Sequence, residues 1–237
     1  MRPKRPRSSA SHDGDSDDAT RKKAKMAEPQ DEGERREEEA IQNQPLPAFR
    51  FRDSEQAVWS CTSDWDEAEE GSLGWQAQLH VGIKGIVFGP GFDIKDTHLE
   101  ALTKAPAAFR SDVISIASRS RHDGEVEHTS HDQPGSICQA LSGPAILKLV
   151  RAYPELQNLE LVLASALGDE EFMGIIRACP KLRNLCITGI RSQGGGITES
   201  GLRWLRRDPS AARVLTRLWL EDQDVTKDEY RRFKAFR

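Results

Sequence analysis

The chain has 237 residues, of which 37% are apolar and 30% are charged, and its formal net charge at pH 7 is −4. This is enough for one modest folded domain with tails. No apolar run approaches the roughly 18 residues of a membrane span, and no apolar region near the start resembles a secretory signal, so we expect no membrane span and no membrane partner.

The first 45 residues contain almost no side chains that build a core. Such a segment cannot bury enough apolar surface to offset the entropy of ordering, so we predict a disordered tail over residues 1–45. Two basic clusters in it, separated by a polar spacer, are typical of a bipartite nuclear localisation signal. They predict a nuclear import carrier as a partner and a nuclear location, with a cytoplasmic location and a solvated tail without function as the alternatives. The clusters are formed by Lys4, Arg5, Arg21, Lys22, Lys23 and Lys25.

Acidic side chains oppose these basic clusters. Four aspartates lie between the two clusters and weaken the attraction to phosphate, which argues against a nucleic-acid partner. An acidic run follows at residues 28–39, and its charge density favours a solvated linker.

Residues 46–80 supply large apolar side chains at irregular intervals, after a segment in which two prolines disfavour a helix. We interpret this stretch as an N-terminal capping region with one short helix around residues 55–60. A protein built from stacked repeats needs such a cap, because its first unit otherwise exposes an apolar end.

A strand pattern recurs between residues 81 and 237. Each copy places apolar residues at its first, fourth and sixth positions, which predicts a half-buried strand. The copies are Ile83/Ile86/Phe88, a weaker Ile114/Ile116, Leu156/Leu159/Leu161, Leu182/Leu185/Ile187 and Leu215/Leu218/Leu220.

A helix pattern follows each strand. An apolar residue is followed by a second one five positions later and a third one three positions after that, and the last two share a helix face. Ser142 and Pro144 predict a helix cap and an early helical proline. We therefore predict an α/β fold with about five strand–loop–helix units over residues 81–237. The helix sets are Ile94/Leu99/Leu102, Leu141/Ile146/Leu149, Leu167/Phe172/Ile175, Ile197/Leu202/Leu205 and Val225/Tyr230/Phe233.

Residues 178–185 (ACPKLRNL) and 197–202 (ITESGL) resemble the cysteine-containing, RNI-like leucine-rich repeats of the F-box/leucine-rich-repeat proteins. The resemblance covers roughly the last two-thirds of the chain. It implies a short leucine-rich-repeat solenoid, with parallel strands on a concave face and helices outside. It also implies an alternative function, the substrate-recognition subunit of an SCF-type ubiquitin ligase. In that alternative residues 46–80 are a degenerate F-box, of which Leu46-Pro47 matches the opening.

The function that we predict is a non-enzymatic protein–protein interaction module, with a protein partner on the concave face. Strand residues that alternate with the inward apolar positions share this face. Arg and Trp among them are frequent anchors of protein interfaces. The predicted partner-binding residues are Asn158, Glu160, Asn184, Thr188, Arg217, Trp219 and Glu221.

The sequence contains none of the common catalytic or phosphate-binding motifs. There is no nucleophile elbow, no H-E-x-x-H and no phosphate-binding loop, so we predict no enzyme, no catalytic residue and no cofactor. Three histidines in an insertion at residues 118–136 match no common zinc spacing, so we predict a polar loop and no metal site there. The four cysteines form no C-x-x-C pair, which favours the reduced thiols of a nuclear or cytosolic protein.

Overall fold

The computed structural model describes residues 51–60, 62–66, 74–89, 92–118, 141–190 and 193–236. The predicted disordered tail with its two basic clusters lies outside these residues, as does the insertion from residue 119 onward. The longest α-helices described have ten residues, and none of the described helices has the length and hydrophobicity needed to cross a membrane.

Within the described residues, six strands form one sheet in which every neighbouring pair is parallel. Their order across the sheet follows their order in the sequence, so each strand pairs with the next one along the chain. The fold is therefore α/β with an all-parallel sheet, as predicted. The strands are β1 (Gln56–Trp59), β2 (Gly85–Phe88), β3 (Ser115–Ser118), β4 (Asn158–Leu161), β5 (Asn184–Thr188) and β6 (Arg217–Glu221).

Helices return the chain between the parallel strands, as parallel pairing requires. The later helices pack against one another in the order α2, α4, α5, α6 and α7. Short 3₁₀-helices span Asp53–Glu55, Gly74–Gln78 and Pro209–Ala212. The described α-helices are α1 (Ser63–Asp66), α2 (Asp96–Thr103), α3 (Ala107–Asp112), α4 (Gly143–Ala152), α5 (Asp169–Ala178), α6 (Glu199–Arg207) and α7 (Lys227–Phe236).

The hydrophobic core lies between one face of the sheet and these helices. A ladder of apolar residues in register crosses the sheet on this face, formed by Ala57, Ile86, Ile116, Leu159, Leu185 and Leu218. The predicted helix sets from Ile94 to Leu205 are buried against it, which confirms the helical spacing. Burying each large aliphatic side chain contributes roughly 1.5–3 kcal/mol.

One backbone hydrogen-bond pattern repeats where the strands begin. The carbonyl of the residue just before one strand accepts two N–H groups, from the residue just before the next strand and from the first residue of that strand, at 2.8–3.1 Å. The repetition gives successive units the same relative placement. The pairs are Lys84 with Ile114 and Ser115, Ile114 with Gln157 and Asn158, Gln157 with Arg183 and Asn184, and Arg183 with Thr216 and Arg217.

The structure corrects two predictions from the sequence. The short helix predicted around residues 55–60 is wrong, because strand β1 occupies Gln56–Trp59 and pairs with β2. Ala57 and Trp59 alternate inward there with the exposed Val58. In the second unit the inward residue is Val113, which is fully buried, whereas Ile114 is only half-buried.

The predicted cap at Ser142 is confirmed. Ser142 is the N-cap residue of α4, and its hydroxyl oxygen accepts a hydrogen bond from Ala145 N at 3.3 Å. Pro144 lies in the first turn, where its missing N–H leaves no intrahelical bond unmade.

Candidate functional site

The two faces of the sheet differ in what packs against them. On the first, strand residues such as Ile86 and Leu185 belong to the hydrophobic core that the helices complete. On the second, Val87, Ala117 and Cys186 have little exposed surface but lie outside that core. We call the second surface the non-core face. It consists of Gln56, Val58, Gly85, Val87, Ser115, Ala117, Asn158, Glu160, Asn184, Cys186, Thr188, Arg217, Trp219 and Glu221.

All seven predicted partner-binding residues lie on the non-core face, in three rows that run across neighbouring strands. One row is Asn158, Asn184 and Arg217, the second is Glu160, Cys186 and Trp219, and the third is Thr188 and Glu221. The alternation of strand side chains produces these rows, since residues two apart share a face.

The seven residues differ in exposure. Asn158 and Asn184 are only 9% and 8% exposed. The amide nitrogen Nδ2 of Asn158 donates to Ser115 Oγ at 3.0 Å, so this amide binds the neighbouring strand. Arg217 and Glu221 on strand β6 are exposed, and Trp219 between them is half-buried. The two asparagines thus offer little surface to a partner, and β6 offers most.

Trp219 is held in place by its neighbour on the same face. Its indole Nε1–H donates a hydrogen bond to Glu221 Oε2 at 3.2 Å. Glu221 is two residues further along β6, and this hydrogen bond orients the indole ring. An aromatic ring of fixed orientation loses little entropy when a partner packs on it. Trp219 and Arg217 together provide the side-chain types that dominate binding energy at protein interfaces.

Thr188 has a structural role. Its hydroxyl oxygen accepts a hydrogen bond from Leu163 N at 3.0 Å, in the turn that follows strand β4. Leu163 has a positive φ of 62°, which a side chain disfavours, so this hydrogen bond helps to stabilise a strained turn. Ser118 acts similarly one strand earlier, because its oxygen accepts from Val162 N at 2.8 Å.

Side chains cover hydrogen-bonding groups at both outer edges of the sheet. On β1, Val58 N donates to Gln78 Oε1 at 2.9 Å, and Ser60 N, just beyond the strand, donates to Asp64 Oδ2 at 2.8 Å. On β6, the Leu218 carbonyl accepts from the hydroxyl of Tyr230 in α7. Covered edges resist pairing with a strand of another chain. The non-core face therefore offers a binding surface that does not depend on edge pairing.

Burial makes one described thiol unreactive. It raises the pKa of Cys179 to about 12, and Sγ lies 3.8 Å from the Val150 carbonyl. The Cys186 thiol is also buried. Within the described ranges, no group of three or more His, Cys, Asp or Glu side chains is placed to hold a metal ion.

A groove of about 590 Å³ lies between the 3₁₀-helix Gly74–Gln78 and helix α2, with Trp75, Leu79 and Ala101 on its walls. Its rim residue Glu100 forms ion pairs with Lys148 and Lys104. The hydrogen bond from Lys148 and the charges of both lysines lower the pKa of Glu100. The groove therefore offers apolar contact and a carboxylate that stays ionised near neutral pH.

The sequence analysis overlooked a group of basic residues beside the non-core face. Arg183 immediately precedes β5, Arg213 lies in the turn before β6, and both are exposed. The recurring strand pattern locates both residues at strand starts, whereas the alternation that predicts the binding residues covers only positions inside the strands.

Comparison with known proteins gives no identification. No protein-family model matches the chain, and a search of curated proteins finds no match to it.

Proposed function

We propose that the chain is a short leucine-rich-repeat solenoid of the cysteine-containing, RNI-like type. Support comes from the strand order and from the hydrogen-bond pattern that recurs at four successive strand starts. Units that cannot bury an apolar face alone become stable by stacking on similar neighbours. In this proposal the non-core face is the concave surface of the solenoid.

The function that we propose is non-enzymatic binding of a protein partner on that face. One observation carries the proposal: Arg217, Trp219 and Glu221 lie side by side on a strand face outside the hydrophobic core, with the indole held by Glu221. Such an arrangement supplies a preorganised aromatic anchor with charged groups on both sides.

We favour this interaction module over the ubiquitin-ligase receptor. That receptor needs a helical F-box module in residues 46–80 to dock its adaptor. Within the described part of that segment, β1 is a strand of the sheet and no helix exceeds five residues.

We also propose that the protein acts in the nucleus. The two basic clusters from Lys4 to Lys25 support import by a carrier that binds extended Lys/Arg segments. Replacing Arg21, Lys22, Lys23 and Lys25 with Ala should move a fluorescently tagged copy to the cytoplasm. Unchanged nuclear accumulation would remove this part of the proposal.

The binding role is tested by affinity capture from nuclear extract with the full chain as bait, followed by quantitative mass spectrometry. Trp219→Ala and Arg217→Ala should each deplete the same captured proteins without changing the unfolding midpoint of the bait. Arg203→Ala is the matched control, because Arg203 is an exposed arginine on helix α6. Equal capture by all four baits would exclude the non-core face, and binding of purified ubiquitin-ligase adaptor would favour the receptor.

A further inference from the structure

Within the described residues, four exposed arginines lie at or before the starts of strands β5 and β6. Each helix returns the chain to the start of the next parallel strand, so helix ends and strand starts lie at the same end of the sheet. Arg207 ends α6, Arg213 lies in the following turn, Arg217 begins β6 and Arg183 precedes β5. We call these four residues the arginine edge.

Backbone hydrogen bonds hold part of the arginine edge together. The Arg183 carbonyl accepts from Thr216 N at 2.8 Å and from Arg217 N at 2.9 Å, which makes Arg183 and Arg217 neighbours across β5 and β6. Leu215 N donates to the Ala212 carbonyl at 3.2 Å, so a tight turn carries Arg213 and Val214. Val214 is 41% exposed, which adds an apolar contact beside the guanidinium groups.

The arginine edge lacks ion-pair partners within the described residues. None of its four members forms an ion pair with any residue in those ranges, whereas nearby Lys181 pairs with Glu155 and Arg206 with Glu229. A helix dipole accounts for a basic residue at the end of α6. It does not account for Arg183 and Arg217, which lie at strand starts. Exposed arginines without ion-pair partners at neighbouring strand starts favour an anionic ligand.

We infer that the arginine edge binds an acidic polypeptide segment that carries at least one large apolar side chain. Guanidinium groups bind carboxylates through paired, charge-assisted hydrogen bonds, and the apolar side chain packs on Val214. The inference deepens the proposed function, since Arg217 belongs to both the arginine edge and the non-core face.

The charge around the arginine edge favours a peptide over a nucleic acid. Glu160 and Glu221 lie on the adjoining non-core face, Asp222 and Asp224 follow β6, and the whole chain is negative. A long polyanion that continues from the four arginines along the non-core face therefore meets repulsion toward the carboxyl ends of the strands. A short acidic segment senses mainly the local positive charge, because screening limits its interactions to about 8 Å at physiological salt.

Fluorescence anisotropy with the full chain tests the inference. The probe is a labelled twelve-residue peptide of Asp and Glu with two Leu, and the comparison probes are its Asn/Gln counterpart and a single-stranded oligothymidine of equal length. The triple variant Arg183→Gln, Arg213→Gln, Arg217→Gln should weaken acidic-peptide binding by about tenfold or more. The amide peptide should not bind.

A matched control removes the same charge from the opposite end. Lys95→Gln and Lys227→Gln alter exposed residues at helix starts, and Arg203→Gln alters an exposed residue one turn into α6. Together they should change peptide binding by less than about twofold. If the first triple variant is unstable, Arg213→Gln alone replaces it, because Arg213 is exposed on a turn. Its effect should still exceed that of any single control substitution.

The outcomes separate this inference from the proposed function. Unchanged acidic-peptide binding in the triple variant, or equal binding of the amide peptide, overturns the arginine edge. Tighter binding of oligothymidine that is lost in the triple variant also overturns it and favours a nucleic acid. Partner capture that still depends on Trp219 leaves the proposed function standing in either case. Peptide binding lost with Arg183 or Arg213 but unaffected by Trp219→Ala supports the arginine edge independently.

Discussion

The carboxylate of Asp169, the first residue of α5, accepts two hydrogen bonds from Thr198, the N-cap residue of α6. Thr198 N lies 2.8 Å from Oδ1, and Thr198 Oγ1 lies 2.7 Å from Oδ2. The same link joins other helix pairs, since Asp96 accepts from Ser142 N and Glu199 accepts from the Thr226 hydroxyl. Acidic residues at these helix starts therefore connect units, in addition to complementing the helix dipole.

Replacing Asp169 should weaken the contact between α5 and α6. Asp169→Ala removes two hydrogen bonds to a charged acceptor and leaves Thr198 N unpaired, so we expect a loss of about 2 kcal/mol in the free energy of unfolding. Urea denaturation followed by circular dichroism measures this loss.

The control for Asp169 is Glu170→Ala. It removes an exposed carboxylate from the same first turn, where only the interaction with the helix dipole is at stake. The expected loss is about 0.5 kcal/mol. Equal losses from the two substitutions would show that the link between the helices adds nothing to stability.

Gly189 lies where two turns approach too closely for any side chain. A Cβ atom at this position would lie 2.1 Å from the Asp222 carbonyl oxygen, which belongs to the backbone and cannot rotate away. Gly189→Ala should therefore lower the free energy of unfolding by about 3 kcal/mol, through displaced backbone at the ends of β5 and β6. Gly168→Ala is the control, because its Cβ would meet its nearest atom at 3.4 Å. A Gly189→Ala protein as stable as the control would contradict this close approach.

The strand repeat could be predicted wherever Leu or Ile occupies the inward positions. Leu159 and Leu185 made two strands visible, and both are paired as expected. Strand β1 escaped prediction because its inward residues are Ala57 and Trp59, which also suit a helix or an irregular cap. In the second unit Ile114 concealed the inward role of Val113, since a strand pattern alone does not choose between adjacent aliphatic residues.

The sequence predicts which side chains share the non-core face, but it does not predict how exposed each of them is. Alternation along β4 and β5 is enough to place Asn158 and Asn184 on one face. Their burial depends on how closely the neighbouring strands flank these short side chains. A pattern within one strand does not predict that spacing. The contacts from Gln78 to β1 and from Tyr230 to β6 join residues brought together only by the fold.

The tyrosines should titrate far above their ordinary range. The sequence contains two tyrosines, Tyr153 and Tyr230. Burial raises the pKa of Tyr153, whose hydroxyl donates to the Leu102 carbonyl at 2.9 Å. Burial, reinforced by Cys186 and opposed by a hydrogen bond with the Leu220 backbone, raises the pKa of Tyr230 to about 12. Absorbance near 295 nm should therefore stay flat through pH 10 in the folded protein.

These raised pKa values also set the sign of the pH dependence. The folded state favours the protonated phenols and the protonated Cys179 thiol, so the stability they contribute is complete below the unfolded pKa values of 9 to 10. This contribution to stability is lost as the pH rises from the unfolded pKa values toward the pKa values of the folded state. The loss is up to about 1.4 kcal/mol per group per pH unit. The guanidinium-unfolded protein should show both tyrosines titrating near pH 10. Either tyrosine titrating there in the folded protein would contradict the burial.

The covered edge of β1 predicts the behaviour of a Gln78 variant. Gln78→Ala removes the oxygen that accepts from Val58 N and frees a donor on an edge strand. We expect the free energy of unfolding to fall by about 1 kcal/mol and self-association to rise with protein concentration, because an uncovered edge can pair with another strand. Chemical denaturation and sedimentation velocity measure the two effects.

Gln78→Glu separates the covering role of this side chain from its other contacts. Glutamate keeps an acceptor oxygen at the same reach, so Val58 N stays paired and the protein should sediment as the wild type does.

Tyr230→Phe tests the other edge of the sheet, at β6, because it frees the Leu218 carbonyl while keeping the aromatic ring. Gln78→Ala uncovers the edge at β1 and Tyr230→Phe uncovers the edge at β6. The double variant should therefore form longer linear assemblies than either single variant. If all of these variants sediment as the wild type does, edge covering does not limit association, and the preference for the non-core face over edge pairing loses its support.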